Sequence, residues 1–115
     1  MGITRRDLLE VLIQMREPVS EVLQKLHSFG WDSEEPFITL MPKDVIAVLK
    51  KYLDGHIMSE EVQEWADAIH VRDDIALDSR NEQKLRDVLH ELANPFLVQA
   101  LTPASAQRLV ECLSV

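Results

Sequence analysis

The chain has 115 residues, 46% hydrophobic and 28% charged, with one cysteine, five prolines and three glycines. That composition excludes a disordered chain, a collagen-like repeat and a disulfide-framework peptide, and the length suits one domain, residues 1–115, with a core of its own. A net charge of −8 at pH 7 sets the chain against nucleic-acid phosphates and anionic lipid, so neither nucleic acid nor membrane is expected as a partner.

Helical spacing dominates the pattern. Thr4 and Asp7 form the aspartate version of a capping box, and Leu8, Leu9, Leu12 and Met15 then share one helix face. Pro18 ends this helix or opens the next, whose stripe is Val19, Val22, Leu23 and Leu26, with Gly30 as the stop. Trp31 to Pro36 reads as a loop. Phe37 to Leu40 are too few to found a sheet and are expected to lie on the core as an apolar connector.

Pro42 suits the first turn of a third helix that buries Val45, Val48, Leu49, Tyr52 and Leu53 and stops at Gly55. Ser59 is the expected N-cap of a fourth, with Glu60 and Glu61 at the positive end of the helix dipole and Val62, Trp65, Ala66 and Ile69 facing inward. Ser79 with Glu82 predicts a capping box for a fifth helix burying Leu85, Val88, Leu89 and Leu92, ended by Asn94-Pro95. Thr102-Pro103 opens the last, which buries Leu109, Val110 and Leu113. The expected architecture is all-α: a compact irregular or orthogonal bundle of five to six short helices.

The acidity is local. From Asp54 to Asp78 eight acids face one base, Arg72, whereas the other 90 residues hold 12 acids and 11 bases. At about 100° per residue, Glu60, Glu64 and Asp67 fall within roughly 60° of one another, opposite the Trp65 face. Charges opposite an apolar stripe also keep any surface helix soluble. The lack of lysines among them lifts the rival reading, a partner-facing patch, for which Glu60, Glu64, Asp67, Asp73 and Asp74 are the candidate residues.

Motifs for catalysis are missing. No Gly-rich phosphate loop, G-x-S-x-G elbow or H-E-x-x-H pair occurs, and Asp73-Asp74 with Asp78 lacks the spacing of an EF-hand. His27, His56, His70 and His90 are scattered and read as surface or helix-end residues, and Cys112 reads as a small core residue. No enzyme, metal site or cofactor is expected. A lone cysteine forms no internal disulfide, no apolar run approaches a membrane span, and Arg5-Arg6 run straight into Asp7 rather than into a leader's apolar core. Arg6 stands where a myristoylation motif needs Ser or Thr. The expected location is the cytoplasm.

The junction Tyr52-Leu53-Asp54-Gly55-His56-Ile57-Met58-Ser59-Glu60-Glu61-Val62, continuing to Trp65, resembles the helix–Gly–cap–acidic helix pattern of colicin-type immunity proteins. With Trp65-Ala66 and Arg72 to Ile75 it also resembles uncharacterised small bacterial helical proteins. The immunity resemblance implies an acidic surface that plugs the basic active site of a toxin, and it brings no catalytic residues. The expected function is therefore a bacterial acidic protein-interaction module, immunity-like, that binds a basic partner protein. The alternative is a structural or accessory subunit that forms a homodimer through Trp31, Phe37, Ile38 and Leu40.

Overall fold

The computed structural model describes residues 5–27, 38–70, 75–97 and 100–114. Among them are six helices: α1 (Arg5–Gln14), α2 (Val19–His27), α3 (Pro42–Leu53), α4 (Ser59–His70), α5 (Glu82–Ala93) and α6 (Pro103–Leu113). Two three-residue strands, β1 (Ile38–Leu40) and β2 (Ile75–Leu77), complete the order. The radius of gyration, 13.6 Å, matches the roughly 13 Å of a packed chain this long, so the helices form an all-α bundle rather than an extended array.

Every inward stripe read from the spacing is buried in one cluster, apart from its margin. Leu9, Leu12, Val22, Leu26, Val45, Leu49, Val62, Trp65, Leu85 and Leu89 have almost no solvent contact, while Met15, Leu23, Tyr52 and Leu53 pack against the edge half-buried. Helix α4 packs chiefly on α5, α3 on α6 and α1 on α2, and α4 also touches α1, α2 and α3. The inner face of the Trp65 helix thus joins α1, α2, α3 and α5 into one core.

The helix ends follow from local chemistry. Thr102 caps α6: its Oγ1 accepts from Ser105 N at 3.1 Å, and Ser105 Oγ accepts from Thr102 N at 2.8 Å, which satisfies the one buried polar residue among those described. Asp44 Oδ2 accepts from Met41 N at 2.8 Å at the start of α3. Helix α3 ends in a Schellman motif, with Gly55 N donating to Tyr52 O and His56 N to Lys51 O, and Gly55 takes the left-handed φ of 82°. Helix α1 ends the same way, Met15 N on Leu12 O and Arg16 N on Val11 O, but the left-handed residue is Met15, at φ 51°.

Four expectations are corrected. Ile38–Leu40 is not merely a connector: it pairs in parallel with Ile75–Leu77, Ile38 opposite Ile75, because that far segment brings ladder partners a local reading cannot supply. Ser79 is exposed and does not cap α5. Asn81 is the N-cap, its Nδ2 donating to Asp78 Oδ2 at 2.7 Å. Helix α4 takes its first backbone bond on Met58 O, so Ser59 sits inside the first turn rather than at the cap. Cys112 is exposed: it lies about 100° round α6 from the centre of the buried stripe of Ala106, Leu109 and Leu113. Thr4, Gly30 and the Trp31–Pro36 loop lie outside the described residues.

Candidate interaction face

Helix α4 is the pivot of the site, because one side of it is core and the other is charge. Val62, Trp65, Ala66, Ala68 and Ile69 are buried, and Glu60, Glu61, Glu64 and Asp67 are exposed. None of these four carboxylates forms an ion pair with a described residue. The ion pairs run elsewhere: Arg6–Glu10, Lys25–Glu17, Arg86–Glu82 and Arg108–Glu91. The structure therefore brings Glu60, Glu64 and Asp67 together as an outward stripe without counter-ions among the described residues. Asp73 and Asp74, predicted to extend it, lie outside the described residues.

The start of this stripe borders a groove of about 400 Å³. Glu61 and Glu64 form one wall, the α1–α2 corner with Arg16 and Ser20 the other, and Met15, Val19 and Ile57 supply apolar lining. The corner wall is anchored from beneath. Trp65 Nε1 donates to Leu12 O at 2.8 Å, and Lys51 Nζ donates to Gln14 O at 2.8 Å, so two side chains from other helices occupy the carbonyls that end α1. Glu17, also on the lining, holds Lys25 at 2.9 Å, and the Glu17 carboxylate beside it raises the Lys25 pKa.

No residue of the corner had been singled out from the sequence as functional. The signal was present in Pro18: a proline between two apolar stripes forces a turn, and a turn between packed helices leaves a concavity. The sequence also left Phe96 and Leu97 unremarked. They stand 97% and 80% exposed on the turn after α5, the largest apolar projection among the described residues.

The remaining candidates resolve individually. All four histidines are exposed, and the fold brings His70 and His90 together with ring centroids 6.4 Å apart. No three of His, Cys, Asp and Glu converge in a metal-sized group among the described residues. No buried side-chain polar atom among them lacks a hydrogen-bond partner. Of the self-association patch, Trp31 and Phe37 lie outside the described residues, Ile38 is half-buried, and Leu40 is core, with no exposed surface to offer a partner. No described helix is long and apolar enough to cross a membrane. No protein-family model, no curated protein and no solved structure matches this chain.

Proposed function

We propose that this chain is a protein-interaction module whose acidic α4 face captures a basic partner protein. The observation that supports it is the run of exposed carboxylates, Glu60, Glu61, Glu64 and Asp67, with no cation of the described chain to neutralise them. Like charges held one turn apart cost a few tenths of a kcal/mol per pair. A partner's arginines and lysines remove that cost on binding. The field of the stripe speeds the encounter, and desolvated Arg–carboxylate pairs slow release. On this reading the protein acts by occupying a surface, not by chemistry, and has no catalytic residue.

The resemblance of the Tyr52–Trp65 junction to colicin-type immunity proteins makes the finer form of the proposal an immunity-like inhibitor in a bacterial cytoplasm. Its partner would then be a toxin with a basic active site. The test is capture of basic proteins from the native host at low and high salt by the wild type and by the Glu64→Lys/Asp67→Lys double variant. The variant is expected to lose at least about tenfold in affinity and to show a flatter salt dependence. Equal capture by both proteins overturns the reading.

A second reading, self-association, is supported by Phe96 and Leu97 standing side by side in solvent. It places the homodimer contact at the end of α5 rather than at the patch expected from the sequence.

A further inference from the structure

The groove beside α4 is not explained by charge alone. Carboxylates suffice to attract a cation, yet here two of them, Glu61 and Glu64, stand at the mouth of a cavity of about 400 Å³ whose lining includes buried Val19 and half-buried Met15 and Ile57. That volume is within the range of pockets that enclose a side chain or small ligand. Its walls are also set before binding, because Trp65 and Lys51 hold the end of α1 in place.

We infer that the groove takes one large apolar side chain from a cationic segment of the partner, whose flanking arginine or lysine then meets Glu61 and Glu64. This rests on the reading of α4 as a capture face and names the kind of segment that fits it. Charge sets the direction of entry. Carboxylates form the α4 rim, whereas the corner rim carries Arg16, exposed and with no ion pair to a described residue, beside Glu17, whose charge Lys25 already meets. The segment's cations therefore lie along α4 and its apolar side chain points into the corner. An acidic segment meets Glu61 and Glu64 head-on, and a purely basic one leaves the apolar lining wet.

Fluorescence anisotropy with labelled synthetic peptides tests this on the intact chain. One peptide carries lysines and arginines around a central leucine. The second replaces that leucine with serine at the same charge. The expected result is at least about tenfold tighter binding of the leucine peptide at moderate salt. Ser20→Phe, which fills the groove from an exposed position, is expected to abolish that preference. Glu64→Gln should weaken both peptides alike. Equal affinity for the two peptides overturns the groove proposal and leaves the acidic-face reading standing. That comparison needs no variant and so does not depend on how Ser20→Phe folds. Failure of both peptides to bind at low salt removes the two together. A ten-fold preference that survives in folded Ser20→Phe also overturns the groove as its source.

Discussion

The indole Nε1 of Trp65 donates to the main-chain carbonyl of Leu12 at 2.8 Å, and both residues are wholly buried. The bond joins the helix that carries the acidic stripe to the last turn of α1, so packing and site geometry depend on one side chain. Trp65→Phe keeps an aromatic ring but loses the donor and leaves space where the second ring stood. A loss of about 2–3 kcal/mol is expected, read as a lower urea midpoint at unchanged m-value. A loss below about 0.5 kcal/mol would show that the bond does not hold the corner.

Lys51 tests the same corner from α3. Its ammonium group donates to Gln14 O at 2.8 Å and reaches Met15 O at 3.4 Å, where the α1 dipole is negative. Lys51→Met keeps most of the stem's packing and removes the charge. It is expected to cost about 0.5–1 kcal/mol at low ionic strength and less in high salt, since a half-buried cation at a helix end is partly screened. Thermal melts at two salt concentrations measure the difference.

The two Schellman motifs make opposite predictions at equivalent positions. At Gly55 a Cβ would meet nothing within 4 Å, so Gly55→Ala costs only the left-handed backbone, about 1–2 kcal/mol. At Met15 the side chain packs on the margin of the core while the backbone holds φ 51°. Met15→Ala loses the packing and keeps the strain, whereas Met15→Gly loses the packing and sheds the strain. The glycine variant is therefore expected to be about 1 kcal/mol the more stable of the two, the reverse of their order in an ordinary helix. Alanine ranking above glycine would mean that Met15 is not strained.

These contrasts show where the sequence was legible. Leu85, Val88, Leu89 and Leu92 repeat with the helical period and are buried as that period predicts. Ile38–Leu40 and Ile75–Leu77 are too short to display a period of two, and each is a strand only because the other lies beside it. Cys112 misled because adjacency to Val110 and Leu113 in the chain is not adjacency on a helix face. Of the candidate site, the α4 stripe was readable because Glu60, Glu64 and Asp67 belong to one helix. The groove was not, because Arg16 and Glu64 come together only through tertiary packing.

Glu17 and Lys25 give a pH-dependent measurement. The hydrogen bond and then the charge of Glu17 raise the Lys25 pKa above 10.5. A pKa raised in the folded state contributes stability fully below the unfolded value and loses it as the pH climbs through the folded value. The lysine's part of the pair therefore contributes at neutral pH and is lost as the pH climbs through its raised value in alkaline solution. In Glu17→Gln, the Lys25 side-chain resonance followed by NMR is expected to titrate nearer 10.5 than in the wild type. Identical titration curves would mean that the pair is not formed in solution.

Phe96 and Leu40 separate the two readings of function. Leu40 has no exposed surface, so Leu40→Asp buries a charge in the core and is expected to unfold the chain whether or not it self-associates. Phe96 is 97% exposed and little of the monomer's stability depends on it, so Phe96→Asp is expected to leave the melting temperature within about a degree or two. If a homodimer forms through the end of α5, light scattering of the wild type shows a mass that rises with concentration, and Phe96→Asp returns it to the monomer. If the chain works through α4, the wild type stays monomeric at every concentration and Phe96→Asp captures a basic partner as well as the wild type does. A dimer that persists in Phe96→Asp would place the contact elsewhere and remove the only surface argument for self-association at the α5 turn.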